Sequence, residues 1–392
     1  MRLTLPPKNR RRGAATIAAM TALVAVACSS AATAIPTESP VPPTPAPPRP
    51  TATPLGILDE KFTAPFEKLT PSGARDIDPD EYRAQTDVDN IAPIYDPKIV
   101  RADQVDLLPE ELVLGVEING EARAYPHRLM QFREIANDVV GGVPILVSWC
   151  PVCFTGLVHD RRLDGTLKTF GNQGALFMNA LTFWDHETKS IWAQPWGTAI
   201  TGDLKGSALT LLPFSLDTWG AWLEAHPDTT VVEDERGKVF LPDLIPYDYV
   251  IGVSIKEDAS SYYVNSLLET TVLNHNVGEN TIVVITDPDT RKVRVFLRQT
   301  TGTPADETAT VPDLFTFETA GDERMRDLET GTIWEVERGL ALEGPLRGAV
   351  LQQVPYITSF DWAWADFFPE TAVWGEAGLT GLGEVIELGR DR

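Results

Sequence analysis

At 392 residues, 43% of them hydrophobic, the chain is long enough for two ordinary domains that each bury a core. Its formal net charge of −23 argues against a nucleic acid or an anionic lipid surface as partner and suits an exposed, soluble domain. Three cysteines in a chain of this size exclude a disulfide scaffold.

The N-terminus reads as an export and anchoring signal. Arg2, Lys8 and Arg10-Arg11-Arg12 are basic, and residues 13–26 form an apolar run too short to span a bilayer comfortably. Ala25-Val26-Ala27-Cys28 follows. Small residues before a cysteine are the recognition pattern of bacterial lipoprotein processing, in which the thiol takes a diacylglycerol. A signal peptide is therefore expected over 1–28, with Cys28 lipidated; ordinary cleavage beside a free cysteine is the alternative. Residues 29–56 are rich in Pro, Thr and Ala and predict an extended tether. The expected location is extracytoplasmic, lipid-anchored to the membrane at the cell surface or the periplasmic face. Lipidation leaves Cys150 and Cys153 as the one remaining pair, in a compartment without a thiol-reducing pool.

Residues 57–112 carry turn signals such as Asp78-Pro79-Asp80 and predict an irregular lead-in. Beyond them, Val113 to Ile118 reads as a strand, Asn119-Gly120 as a hairpin turn, and a second strand ends at Tyr125. Pro126 starts a helix expected through 136, with Leu129, Met130 and Phe132 as its apolar residues. A buried strand is expected over 143–149. Segments 157–160 and 167–170 read as a hairpin around Asp164-Gly165, and 185–191 as a turn between strands. The last predicted elements are a strand at 209–212 and a helix over 215–225 carrying Trp219 and Trp222.

The chain then repeats itself. At an offset of 137, Val113-Leu114-Gly115-Val116 matches Val250-Ile251-Gly252-Val253, and Tyr125, Asn137, Gly141 and Pro151 fall on Tyr262, Asn274, Gly278 and Pro288. At an offset of 142, Asp185 and Trp192 fall on Asp327 and Trp334, and Trp222 falls on Trp364. Two repeats, 113–233 and 250–375, follow. The pattern predicts an α+β fold, mostly antiparallel β with short helices, whose internal duplication gives two similar halves.

Trp149-Cys150-Pro151-Val152-Cys153 carries the chemistry. Its spacing is similar to the redox motif of thioredoxin-like proteins, where the first thiol sits at a helix N-terminus. Here Phe154-Thr155-Gly156-Leu157 contains Gly and a β-branched residue and runs into a hairpin, so that fold is rejected. Three readings stay open. The thiols cycle with a small, easily reduced disulfide. Or they bind a soft metal, copper or zinc, with His159, His127 and His186 as further candidate ligands. Or they form a static bridge in a non-catalytic binding or scaffold module. The second repeat has Asp287 and Thr290 in place of the cysteines and Val264, Phe296 and Leu328 in place of the three histidines.

Trp192, Trp222, Trp334 and Trp364 sit at equivalent places and are expected in the core. The single-copy aromatics Trp149, Trp184 and Trp196 are candidates to line a pocket. Asn172, Met178 and Asn179 lie in a stretch without an aligned partner and are candidate binding residues.

At these residues the chain resembles the bacterial and archaeal domain-of-unknown-function 3179 family. The resemblance rests on Ala122-Arg123-Ala124-Tyr125-Pro126, Asn137-Asp138-Val139-Val140-Gly141-Gly142, Trp149 to Cys153, Asp160-Arg161-Arg162-Leu163-Asp164-Gly165 and His226-Pro227-Asp228-Thr229. It covers about 90 to 375, and departs from the family pattern at Trp149, Phe154 and His159. It implies the domain and no established reaction, ligand or protein partner.

Overall fold

Each half builds the same three sheets, because the residues the two copies share stand where the sheets are set. The computed structural model describes residues 81–235, 249–321 and 323–376. The signal peptide, Cys28, the tether and the lead-in as far as residue 80 lie outside the described residues. No helix among the described residues is long and apolar enough to cross a membrane.

In the first half, Leu112–Ile118 and Glu121–Pro126 form a hairpin about Asn119-Gly120, and helix α1 (His127–Arg133) follows. Ser215–Thr218 and Thr230–Glu233 flank the hairpin, with helix α2 (Trp219–Ala225) between them in sequence. The second half repeats this with Tyr249–Ile255, Asp258–Tyr263, α3 (Val264–Thr270), Ile357–Phe360, α4 (Asp361–Phe367) and Ala372–Trp374. The paired glycines and tryptophans explain each other. A Cβ on Gly115 would stand 2.3 Å from the Trp222 ring, and one on Gly252 1.9 Å from that of Trp364. Each indole lies directly on a strand backbone. Trp222 Nε1 donates to Thr229 Oγ1 at 2.9 Å and Trp364 Nε1 to Thr371 Oγ1 at 3.0 Å, so neither buried N–H is left unpaired.

The second sheet contains Ile135–Val140, Val143–Cys150 and Thr155–Asp160, matched by Val272–Val277, Asn280–Thr286 and Val293–Thr300. The third runs Phe170–Phe177, Ala180–Asp185, Ile191–Ala193 and Thr198–Thr201, matched by Phe317–Gly321, Arg324–Asp327, Ile333–Glu335 and Ala341–Glu343. Here Asp185 accepts from Trp192 Nε1 at 3.0 Å and Asp327 from Trp334 Nε1 at 2.8 Å. All four repeat-equivalent tryptophans are buried, as expected. The fold is α+β and mostly antiparallel; the parallel strand pairings, Thr230–Glu233 with Glu121–Pro126 and Ala372–Trp374 with Asp258–Tyr263, are themselves equivalent.

Several predicted boundaries move. The first helix ends at Arg133 rather than 136, because Glu134 turns left-handed (φ +58°) and Ile135 enters the sheet. The segment expected as a helix over 215–225 opens as the strand Ser215–Thr218, and Thr218 caps α2 by accepting from the Ala221 N–H. Residues 209–212 form no strand; Leu211 makes an isolated bridge to His159. Thr155–Asp160 pairs back onto Val143–Cys150, and only the short strands Arg162–Leu163 and Thr166–Leu167 close around Asp164-Gly165. The lead-in also contributes strands: Tyr82–Ala84 and Lys98–Arg101 extend two first-half sheets at their edges.

Both halves lie in one compact unit and meet twice through equivalent elements. Ser215–Thr218 of the first half lies beside Val293–Thr300 of the second, and Ile357–Phe360 of the second beside Thr155–Asp160 of the first. A pseudo-twofold relation places these two seams as counterparts. The first seam holds buried charge. Arg294 reaches Asp217 at 2.7 Å and Glu337 at 2.6 Å, while Glu337 also meets His226 at 3.1 Å and Lys292 at 3.1 Å. The second seam holds the cysteine pair.

Candidate functional site

Cys150 ends the strand Val143–Cys150 and faces Thr155, the first residue of the next strand, so Pro151 to Phe154 form the intervening turn. Phe154 closes it in the left-handed region (φ +54°), as Arg291 does in the second copy (φ +61°). Both cysteines are free and buried, at 1% and 0% exposure, while Val152 at the tip is 48% exposed. Their surroundings are apolar: Ile135, Leu146, Phe170, Leu181 and Phe183 from the first half, Ala363 and Phe367 of α4 from the second.

The second half holds the turn by its backbone. Phe360 N–H donates to the Cys153 carbonyl at 2.9 Å, Gly156 N–H donates to Thr358 Oγ1 at 2.7 Å, and Thr358 Oγ1 donates to the Phe154 carbonyl at 3.1 Å. Trp196 Nε1 adds a bond to the Phe367 carbonyl at 3.0 Å. The turn is thus fixed from outside its own repeat.

Electrostatics separate the two thiols. Burial pushes the Cys150 thiol up, but hydrogen bonds from the Cys153 thiol and from backbone groups of Cys153 and Leu181 outweigh it. The pKa of Cys150 falls below the ordinary value. Burial and the neighbouring Cys150 raise Cys153 well above it. Of the two sulfurs, Cys150 is therefore the one more disposed to ionise. The second copy shows why the turn favours an anion. Asp287 stands in the place of Cys150, and its Oδ1 accepts the N–H groups of Asp289 at 2.8 Å and Thr290 at 3.2 Å.

Glu134 is the residue that sequence reasoning missed. It is buried at 8% exposure, and its charge acts on Cys150, raising that thiol's pKa. Asn172 Nδ2 donates to Glu134 Oε2 at 2.6 Å, while Asn172 Oδ1 accepts the Gly174 N–H at 2.8 Å, which fixes the amide's orientation. A bulge between Asn172 and Leu176 lets the strand turn this way. Burial raises the Glu134 carboxyl above its usual range, and the Asn172 bond offsets that only in part. A signal was available: Glu134 becomes Thr271 in the copy that lacks the thiols, at the same left-handed backbone position (φ +58° and +60°).

The other candidates are placed elsewhere. His159 Nε2 packs on Gly197, where a Cβ would stand 2.5 Å away, just as the Phe296 ring packs on Gly339 in the second copy. Burial lowers its pKa to about 3, so it is a neutral core residue. His186 stacks on Trp184 with centroids 4.3 Å apart and lies 3.1 Å from Tyr95 Oη. His127 meets the edge of Trp149 at 4.3 Å. Trp149 is fully buried, in the core shared by both halves, where it packs on His127 and Phe154. Met178 and Asn179 (φ +48° and +62°) form the two-residue hairpin turn between Phe170–Phe177 and Ala180–Asp185. Among the described residues no group of three His, Cys, Asp or Glu is arranged to hold a metal ion. The metal site proposed from Cys150, Cys153 and the three histidines is therefore not assembled, because the strand carries His159 away to Gly197 and the other two rings engage aromatic neighbours.

Fold and site define a class: a duplicated, antiparallel α+β protein with one buried cysteine pair at the seam of its halves. The chain belongs to the family described as protein of unknown function (DUF3179), whose model matches residues 88–239 and 242–371, one segment for each half. No curated protein and no solved structure matches it.

Proposed function

We propose that the protein is a thiol-redox protein whose Cys150 and Cys153 cycle between a dithiol and an intramolecular disulfide. We place it outside the cytoplasm on a lipid attached at Cys28. The observation that carries the redox reading is the placement of two free, buried cysteines on one tight turn, whose counterpart in the second half holds a carboxylate by two backbone N–H groups. Hydrogen bonds lower the pKa of Cys150, while burial and the neighbouring sulfur raise that of Cys153, so Cys150 is the sulfur that ionises first. Burial of both sulfurs fits a small thiol or disulfide as the exchanging partner better than a folded protein. The location rests on the basic start of the chain, its apolar run and the small residues before Cys28.

Redox titration tests the chemistry. The full-length protein is equilibrated in glutathione buffers of graded ratio, acid-quenched and weighed by mass spectrometry. A reversible 2 Da loss confined to the peptide holding Cys150 and Cys153 supports the proposal, the two hydrogens lost being those of the two thiols. A mass that never changes overturns it. So does a stoichiometric copper or zinc ion that blocks both thiols in the purified protein.

A further inference from the structure

The backbone role of Glu134 does not need a carboxyl. Its counterpart Thr271 holds the same left-handed position after the equivalent helix, and both use the backbone N–H to close that helix on the residue four before. The backbone role is thus kept while the carboxyl is lost, together with both thiols. A buried carboxyl without a cationic partner is costly to keep. Among the described residues no cation pairs with Glu134. Arg133, next in the chain, turns to Asp234 at 2.6 Å, and Asp89 accepts the backbone N–H of Asn172 at 2.8 Å. The Glu134 carboxyl accepts from the oriented amide of Asn172, two residues along the strand from Phe170 of the cysteine cluster, and its charge acts on Cys150.

We infer that Glu134 is the proton carrier of the cysteine pair, taking the proton that Cys150 releases and returning it to the thiol that leaves. This rests on the thiol-redox reading above and assigns a residue to it. In the first step the Glu134 carboxylate takes the Cys150 proton, and the Cys150 sulfur attacks a small disulfide. The new S–S bond forms as the old one breaks, and the departing thiolate takes the proton from Glu134. In the second step Cys153 attacks the Cys150 sulfur, the bond from Cys150 to the small thiol breaks, and the Cys153 proton passes to that departing thiolate. Two thiols lose two electrons, and the small disulfide becomes two thiols. Asn172 is the positioning residue, holding the carboxyl toward the pair. Burial raises the Glu134 carboxyl above its usual range, the direction that strengthens it as a proton acceptor.

The test compares two reactions of the full-length protein in its wild-type and Glu134→Gln forms. Alkylation of Cys150 by iodoacetamide needs a thiolate but no protonated leaving group, whereas exchange with oxidised glutathione needs both. Removing the negative neighbour leaves alkylation at pH 7 unchanged or faster, while exchange slows by about 10²-fold. The exchange pH profile also loses the inflection that belongs to the carboxyl. Glu134→Thr, which has the second copy's residue in the same backbone conformation, repeats the result, and Glu134→Asp restores the inflection. If wild-type protein alkylates but does not exchange, the redox reading itself fails. If wild-type exchanges and both variants keep its rate and profile, or lose alkylation and exchange in parallel, the redox reading stands and the role of Glu134 is overturned.

Discussion

Cys150 and Asp287 occupy the same position at the entry of the same turn, and the backbone N–H groups three residues on, of Cys153 and Thr290, serve them in equivalent ways. In one copy they meet a carboxylate, in the other a sulfur. The turn offers a backbone donor to an anion in both halves, and in the cysteine copy that donor favours a thiolate. This relation ties the duplication to the chemistry, because it identifies what the scaffold supplies before any thiol is present.

His159→Phe should fold and gain stability. The substitution installs the residue that the second copy carries against Gly339, and it removes the buried His159 Nδ1, which has no partner among the described residues. Such an orphan costs about 1–3 kcal/mol. The folded pKa of about 3 lies below the ordinary 6.5, so the folded state binds the proton less well. Wild-type stability is complete above pH 6.5 and drains as pH falls toward 3. Urea denaturation across that window should show the advantage of the variant growing as pH falls; an advantage independent of pH, or a loss, would contradict this.

Thr358→Val keeps the shape and removes a hydroxyl that serves two backbone groups of the cysteine turn. The Gly156 N–H is left buried without its acceptor, a cost of about 1–3 kcal/mol. Thermal melting should record the loss. Hydrogen exchange at Gly156 should accelerate more than at Leu114, a core strand residue of the same half. Uniform acceleration would mean that Thr358 supports the whole domain rather than the turn.

Arg294→Met strips the cation from the opposite seam and leaves Asp217 and Glu337 buried without it. Breaking such a pair from one side costs about 3–5 kcal/mol. Burial opposes ionisation of Glu337, but Arg294, His226 and Lys292 outweigh it and hold the carboxyl well below its usual range. A depressed carboxylate contributes stability that is complete above the ordinary 4.5 and lost as pH falls below it. The variant should therefore be less stable at neutral pH and show a shallower acid limb in chemical denaturation. An unchanged limb would show that Glu337 is not governed by Arg294.

Much of this was legible in the sequence, and for physical reasons. The repeat was visible because Gly115 and Trp222, or Gly252 and Trp364, constrain each other sterically and tolerate little else. The strands were visible from apolar runs and the Asn119-Gly120 turn. The ends of elements were not, since Glu134 ends a helix by adopting a left-handed backbone that nothing in its residue type announces. The histidines misled because spacing along a strand places His159 on the face of Cys153 without saying that Gly197 waits at the other end. Glu134 itself was within reach. Its loss in the second copy parallels the loss of the thiols, but it lies sixteen residues before Cys150 (150 − 134), and only the fold brings it there.

The central claim is that Cys150 is the nucleophile of an unequal pair. Its most direct test is site-resolved alkylation of the fully reduced protein with iodoacetamide over a pH series, read by peptide mass mapping. The account predicts that Cys150 is modified first, with a midpoint below the value of about 8.5 usual for a free thiol. Cys153 should remain unmodified until the chain unfolds. Equal modification of both cysteines, Cys153 ahead of Cys150, or a Cys150 midpoint above that value would contradict it.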